Sequence, residues 1–428
     1  MRTVPNSLAS ANTVLVEAVV ADYETTTPDA SAIAIVEAAS NAPGAWILVR
    51  RDDEPLGILQ LAIPAEGITS QSLRAAVVEQ FGSSAFPADD ARRTYSAGRA
   101  AALSSAPEIT VIVCTRNRPD DVVRCVESLL RMSCPRYRIL IVDNAPSDDR
   151  TRDAIAAINS PDVPIDYVIA PVPGLSNARN VATALVDTPL MAWLDDDEVA
   201  DEHWLAEIVR AFNDRPRAAA VSGLVVPAEL RTRAQALFEG FGGHSKGRGV
   251  TPVVFSPSAK DAQSPLFPLP PFGVGANMAF RTQDLLELGG FDPALGAGTR
   301  TFGGEDTEMF TRLLLSGRES TYHPAAITRH YHRADMPSLE RQMYGYGVGL
   351  TAFYASLLRR RPRLLGALLR SAPAALAALV GGNSTRNAGI PDDFPRSFLR
   401  RNVVGMLRGP IEYARARRVV RRGSPCPR

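Results

Sequence analysis

The chain has 428 residues, 45% hydrophobic and 22% charged, and 47 basic against 46 acidic side chains leave a formal net charge of +1. That length allows two or three domains with an ordinary buried core. The near-neutral balance excludes a global field that would gather nucleic acid or an acidic substrate, so electrostatic partners must be read from local clusters. The four cysteines, Cys114, Cys125, Cys134 and Cys426, form no C-x-x-C pair and no metal-ligand spacing, as expected of thiols kept reduced in a cytosolic compartment. "MRTVPNSLASANTVLVEAVVADYETT" lacks a sustained apolar core, so no secretory signal is expected. "LLGALLRSAPAALAALVGG" is interrupted by Arg370 and Pro373 and falls short of the ~20 apolar residues a spanning helix needs.

Residues 1 to about 85 read as a small α/β unit. "AWILVRR" and "LGILQLAI", joined by "DDEP", predict a hairpin, and "SQSLRAAVVEQF" has helical periodicity. "PADDARRTYSAGRAAALSSAP" is rich in small and polar residues and reads as a linker, which puts a domain boundary near residue 105. From there strands and helices alternate: "EITVIVC", "PDDVVRCVESLLRM", "YRILIVD", "SDDRTRDAIAAI" with Ser147 as cap, "IDYVIA", "SNARNVATALV" and "LMAWLDDD". Alternation on short connections predicts a mostly parallel, Rossmann-like sheet with helices on both faces, and such sheets bind ligands at the carboxyl ends of their strands. Residues 106–337 form this expected domain, with Pro- and Gly-rich loops from 215 onward. Residues 338–428 read as a helical, arginine-rich extension in which Leu339, Met343, Tyr346, Leu350, Phe353 and Leu357 recur at spacings of four and three.

The fourth predicted strand runs into three aspartates and a glutamate, "MAWLDDDEVADEHWL". In extended chain, Asp195 and Asp197 point one way and Asp196 the other. Two like carboxylates on one side repel unless a cation sits with them. Magnesium or manganese suits oxygen ligands, and magnesium fills the positions that one or two carboxylates leave open with water and phosphates, so the expected ligand is a diphosphate carried by another molecule. Two other readings stand beside this one. "DEVADEHWL" can begin a helix, where acids gain ~0.3–1 kcal/mol each from the dipole. Asp195-x-Asp197-x-Val199 also fits the nucleophile motif of haloacid dehalogenase-type phosphatases, which further need a lysine and a second acidic pair, and the chain offers only Lys246 and Lys260, both in loop-like sequence. An EF-hand loop is excluded because Val199 and Ala200 stand where a ligand oxygen and a glycine are required.

"VIVCTRNRPDDVVRCVESLL", "ILIVDNAPSDDRT", "GLSNARNVA", "MAWLDDDE", "GVGANMAF", "GGFD" and "GGEDTEMFTRLLLSG" follow one another as in family 2 glycosyltransferases, which the sequence resembles over about residues 108–335. The resemblance implies a GT-A fold, a nucleotide-diphosphate-sugar donor, a divalent cation (Mn2+ or Mg2+) and inversion at the anomeric carbon. It implies nucleotide contacts for Thr115, Arg116 and Asn117, where Arg116 replaces the family's usual aromatic, and a base contact for Asp143, with Asn144 where the family often has a second aspartate. Arg179, in the family's "ARN" with Asn180, is expected on the diphosphate, since arginine grips phosphate through paired hydrogen bonds. Asp195 and Asp197 match the family's DxD as ribose or metal contact and metal ligand, Asp196 is counted on the donor side, and His330 is the expected metal-binding histidine ahead of His332. Gly275, Ala276 and Asn277 are expected to bring backbone to the donor sugar, with Trp193 in the core. Asp306 is the expected general base for the acceptor hydroxyl, and Glu305 the acceptor or sugar contact. A catalytically inactive glycosyltransferase-like scaffold that binds a glycan or protein is the alternative.

Past residue 355 arginines cluster in "LLRRRPRLL", "SFLRRNVVGMLRG" and "YARARRVVRR", and Leu399, Val403, Leu407 and Ile411 form a stripe at spacing four. Basic amphipathic segments bind anionic membrane surfaces, while a helix packed on the preceding domain has the same pattern. Nucleic acid is not expected, for want of interleaved aromatics. The sequence thus predicts a cytoplasmic enzyme, peripheral on the inner face of the cell membrane through its tail, acting on a glycan or lipid-linked acceptor.

Overall fold

The computed structural model describes residues 18–39, 42–86, 89–245, 247–257, 264–267, 269–380, 390 and 393–423, which leaves Cys426, Lys246 and Lys260 outside the described residues. The first unit comprises β1 (Ala18–Glu24), α1 (Pro28–Ala38), β2 (Gly44–Arg51), β3 (Glu54–Ala62) and α2 (Ser70–Phe81), with the strands in the order β1-β2-β3. The predicted hairpin is β2 and β3. Asp52 and Asp53 turn it with φ of 52° and 67°, the positive values a type I′ turn needs, and Glu24 fixes the turn by accepting both their backbone N–H groups at 2.9 and 3.0 Å. The expected linker is instead helix α3 (Asp89–Ser104). Its alanines favour a helix, and it docks through Tyr95, whose hydroxyl donates to Glu207 Oε2 at 3.1 Å beneath the guanidinium of Arg210.

The second unit continues with β4 (Ile109–Thr115), α4 (Pro119–Leu129), β5 (Tyr137–Asn144), α5 (Arg150–Ala156), β6 (Ile165–Ala170), α6 (Leu175–Leu185), β7 (Leu190–Asp195), β8 (Glu198–Ala200), α7 (Trp204–Asp214), β9 (Ala218–Pro227), α8 (Arg233–Gly240), β10 (Val253–Phe255), β11 (Asn277–Arg281), α9 (Thr282–Glu287), α10 (Glu305–Leu315) and β12 (Glu319–His330). The sheet has nine strands in the order β10-β12-β9-β11-β7-β4-β5-β6, with β8 paired to β12 off that path. Strands β6, β5, β4 and β7 are parallel, as expected, while β11 enters antiparallel between β7 and β9. Alternate residues of each strand face opposite layers. Val111 and Val113 pack with α4 and α7 through Val122, Val126, Leu129, Leu205 and Ile208, and Ile112 and Trp193 pack with α6 and α10 through Ala178, Ala182, Met309 and Phe310. Ser147 does not cap α5. Asp149 holds that position, and Ser147 hydrogen-bonds Asn117 Oδ1 through its N–H and hydroxyl at 3.0 and 3.1 Å.

The first unit packs on the second through Trp46 and Leu48 against Leu224, Val226 and Ile327, and Arg50 donates to Asp201 Oδ2 at 2.7 Å across the junction. Three helices close the chain: α11 (Met336–Arg360), α12 (Leu365–Val380) and α13 (Arg396–Gly423). The stripe on α11 is buried at Leu339, Met343, Phe353 and Leu357. Helix α13 lies close along it, since Asn402 Nδ2 donates to Met343 O at 2.7 Å and Thr351 Oγ1 to Met406 O at 2.7 Å. No helix among the described residues is long and apolar enough to cross a membrane.

Candidate active site

The sheet changes direction of growth at β4, flanked by β5 and β7, and a switch point of this kind opens a ligand crevice at the carboxyl ends of the strands. Thr115, Asp143 and Asp195 stand there. The aspartate run does not alternate as an extended segment would, and "DEVADEHWL" does not start a helix. Strand β7 ends at Asp195, Asp196 and Asp197 form a tight turn, and Glu198 begins β8. Antiparallel pairing of β8 with β12 sets Glu198 opposite His330, and the Tyr331 N–H donates to Asp197 O at 2.9 Å. The pairing therefore carries the histidine to the acids. Glu198 is fully buried, and desolvation pushes its carboxyl well above the ordinary range. Helix α7 begins only at Trp204, with Asp201 accepting the His203 N–H at 3.2 Å.

In the turn, Asp196 and Asp197 share one guanidinium. Arg118 Nη1 lies 2.9 Å from Asp196 Oδ1 and 3.1 Å from Asp197 Oδ2, and Thr115 Oγ1 donates to Asp196 Oδ2 at 2.8 Å. Asp197 also meets His330 Nε2 at 3.3 Å and Arg333 Nη2 at 3.4 Å. Burial acts to raise both carboxyls. For Asp196 it prevails, reinforced by the charge of Asp197. For Asp197 the charges of His330, Arg333 and Arg118 overcome it and hold the group well below the usual carboxylate range.

The other side of the site is organised by Arg179, which is 2% exposed rather than lying on a solvated helix face. Its guanidinium donates to Glu305 Oε1 at 3.1 Å, Asp195 Oδ1 at 3.3 Å and Gly275 O at 3.0 Å. The same glycine donates its N–H to Asp306 Oδ2 at 2.8 Å, while Asp306 Oδ1 accepts the Thr307 N–H at 2.6 Å. A Cβ at Gly275 would sit 3.0 Å from both Arg179 Nη1 and Asp306 Cβ, so a side chain here would push both groups back by a few tenths of an ångström. Glu305 Oε2 is buried without a hydrogen-bond partner, and burial, then the charge of Asp306, push this carboxyl up to about 7 against the pull of Arg179.

At the end of β5, Asp143 accepts the Tyr167 hydroxyl on Oδ2 at 2.7 Å while its buried Oδ1 has no partner, and desolvation raises its pKa. Asn144 is committed to the backbone, accepting the Gly174 N–H at 2.7 Å and donating to Val172 O at 2.8 Å. Asn117 adopts φ of 56° and holds Ser147, and Arg116 is exposed. The expectation for Gly275, Ala276 and Asn277 concerns their backbone, and the side chains of the last two point into the core. Asn277 is fully buried, donates to Ala326 O at 2.8 Å and accepts Trp204 Nε1–H at 2.9 Å, and Ala276 packs with Val225 and Val274. Sequence reasoning missed Arg118 and Arg333, although "TRNRP" and "HYHRAD" place each within three residues of a predicted site residue. It also missed His244 and Glu239, which lie beside His330 and His332.

The family described as Glycosyl transferase family 2 matches residues 110–289, and that described as the N-terminal domain of galactosyltransferase matches residues 268–335. The chain carries a family 2 glycosyltransferase domain. The glycosyltransferase domain is 25% identical over 235 residues to the pre-mycofactocin glycosyltransferase of Mycobacterium tuberculosis, covering 54% of this chain and 44% of that protein. It is 26% identical over 197 residues to the glucosyl-dolichyl phosphate glucuronosyltransferase of Haloferax volcanii, covering 44% and 57%. The chain thus spans about half the length of the curated relatives it matches. Among solved structures, the mannosyltransferase PcManGT from Pyrobaculum calidifontis in complex with GDP-Man and Mn2+ covers 76% of this chain and 78% of its own, with 17% identity and a TM-score of 0.45.

Proposed function

We propose that the glycosyltransferase domain transfers a sugar, with inversion, from a nucleotide-diphosphate-sugar donor to a hydroxyl of a glycan or lipid-linked acceptor, in cell-surface polysaccharide or glycolipid synthesis. The observation that carries this reading is the double use of Gly275. Its carbonyl holds Arg179 and its N–H holds Asp306, so one residue ties the carboxylate that takes a proton to the guanidinium that positions Asp195. Asp306 removes the acceptor proton as the new C–O bond forms and the bond to the diphosphate breaks, with the electron pair leaving on the diphosphate. Arg118 and Arg333 grip the diphosphate in paired hydrogen bonds. Arg179 is a positioning residue, three of its five N–H donors being directed to Asp195, Glu305 and Gly275. The unpartnered Asp143 Oδ1 accepts an N–H of the base, Thr115, Arg116 and Asn117 border the nucleotide, and Glu305 faces sugar or acceptor.

The residues fit a divalent cation. Burial raises the Asp195 pKa, Arg179 opposes this, and the charge of Asp197 raises it again, so two confined carboxylates repel where a hard cation would relieve them. Asp195 and Asp197 would hold Mn2+ or Mg2+, with His330 bordering it through Nε2. When bound, the ion neutralises charge on the leaving diphosphate. Screening nucleotide sugars with manganese by thermal shift, then by turnover, tests the reading, because a ligand of the native state raises its stability by mass action. Binding without turnover in the wild type would instead favour the glycan-binding scaffold.

The exposed face of α13 supports peripheral attachment to the inner face of the cell membrane. Val403, Leu407, Ile411 and Val419 are exposed there among Arg400, Arg408, Arg418 and Arg422, and Glu412, the acid of this helix, is buried. A basic residue close to anionic lipid contributes about 1 kcal/mol. The protein should pellet with anionic vesicles, and R400E/R408E/R418E should stay in the supernatant; equal partitioning of the two refutes the attachment.

A further inference from the structure

The closing helices α11 and α13 meet residues 292–304, the irregular segment that runs into Glu305 and Asp306. Asp292 opens the segment and is fully buried. Its Oδ2 accepts the Ser356 hydroxyl of α11 and the Tyr413 hydroxyl of α13, each at 2.7 Å, and its Oδ1 accepts the Ala294 N–H at 3.0 Å. Arg359 Nε donates to the same Tyr413 oxygen at 2.8 Å, and Arg417 Nη1 of α13 lies 3.6 Å from Asp292 Oδ1. Burial acts to raise the Asp292 pKa, but the Ala294 N–H, the two hydroxyls and the charge of Arg360 prevail and hold it below the ordinary range. Tyr413 therefore donates to an ionised acceptor, a bond roughly twice as strong as one between neutral groups. The residue before it on α13, Glu412, accepts from Arg300 Nη1 at 3.1 Å. Helix α13 thus grips the segment at two points.

The other side of the segment faces the site. Gly296 adopts φ of 103°, and a Cβ there would sit 3.1 Å from Ser176 Oγ and 3.4 Å from Glu305 Oε2, the carboxylate atom without a partner. Leu295 O accepts the Ser176 hydroxyl at 2.7 Å and Ala297 O the Leu175 N–H at 2.9 Å, which ties the segment to the start of α6. At its far end Gly304, at φ of 87°, meets α11 backbone to backbone, since a Cβ there would sit 2.6 Å from Gly349 O. Helix α13 presses on α11 just as closely: a Cβ at Gly347 would lie 1.9 Å from Asn402 O, and one at Gly405 2.3 Å from Tyr344 O. Close-packed layers transmit displacement. Asp143, Arg118, Asp197 and Arg333, the groups proposed for the donor, all lie outside the segment.

We propose that α13 is part of the acceptor site: Tyr413, through Asp292, and Glu412, through Arg300, are positioning residues that hold residues 292–304 against Glu305 and so set affinity for the acceptor rather than the donor. The effect on acceptor affinity rests on the proposed transfer, whereas the hold itself exists without substrate.

The test compares full-length wild type with Tyr413→Phe, which keeps the buried ring and removes only the hydroxyl, and with Glu412→Gln. Without substrate, amide hydrogen exchange should quicken across residues 292–304 in both variants and stay unchanged in β4, β5 and β7, because local opening follows local hold. In transfer assays with manganese, Tyr413→Phe should raise the acceptor KM by about tenfold, the scale of one hydrogen bond to a charged group, with donor KM and donor hydrolysis unchanged. Glu412→Gln should raise the acceptor KM by about two- to fivefold, the scale of an ion pair with one exposed partner. Unchanged exchange in both variants overturns the proposal, as does an acceptor KM that stays at the wild-type value or a donor KM that rises with it. Quickened exchange in the variants of a protein that turns over no donor would uphold the hold and sink the proposed transfer instead.

Discussion

The two halves of the site differ in their balance of charge. Around the aspartate turn, two carboxylates meet Arg118, Arg333 and His330, whereas around Gly275 three carboxylates, those of Asp195, Glu305 and Asp306, depend on Arg179. The first half presents Arg118 and Arg333 together, where an anion such as a diphosphate could meet them. The second is short of positive charge, and confined carboxylates that lack counter-charge hold protons more readily. The contrast underlies the proposed division, with the leaving group in one half and proton removal in the other.

The sharpest way to break the comparison is in the second half. Asp306→Asn should lower kcat by about 10²- to 10⁴-fold with donor affinity unchanged, as measured by turnover and by donor thermal shift. Glu305 reports the charge deficit through pH. Its native pKa of about 7 lies above the ordinary 4.5, so the native state binds this proton more tightly than the unfolded chain. The resulting stability is fully present below about 4.5 and is lost as pH rises through 7, by at most about 3 kcal/mol at 1.36 kcal/mol per pKa unit. Denaturant titration across that window should show the decline, and Glu305→Gln should flatten it. In the cation-rich half, Arg118→Ala should raise the donor KM by about tenfold, the scale of one hydrogen bond to a charged group, with Arg118→Lys recovering only part because it cannot present paired donors. The smallest effect is expected at Gly275→Ala, where Arg179 and Asp306 need move only a few tenths of an ångström. A several-fold fall in kcat with unchanged KM is the expected result.

The alternating units from Ile109 to Asp195 were legible in sequence because each strand is a continuous apolar run and each helix has a buried stripe. The positions of Thr115, Asp143 and Asp195 at strand ends followed from the same pattern. What the pattern could not show was how the chain leaves β7. The Asp196–Asp197 turn depends on β8 pairing with β12, more than a hundred residues later, and no local propensity encodes that contact. For the same reason the sequence could not show that Arg179 meets Gly275, distant in sequence. Helix α3 was misread as a linker because its small and polar residues resemble loop composition, while its anchor is Tyr95 on Glu207.

The most direct test of the division between the halves is to follow transfer with manganese and the best donor, comparing wild type, Asp197→Ala and Asp306→Asn, and to read the anomeric configuration of the first-formed product by proton NMR. The expected result is turnover with inversion in the wild type and near-background rates in both variants. Retained configuration, or wild-type turnover by Asp306→Asn, would contradict the account.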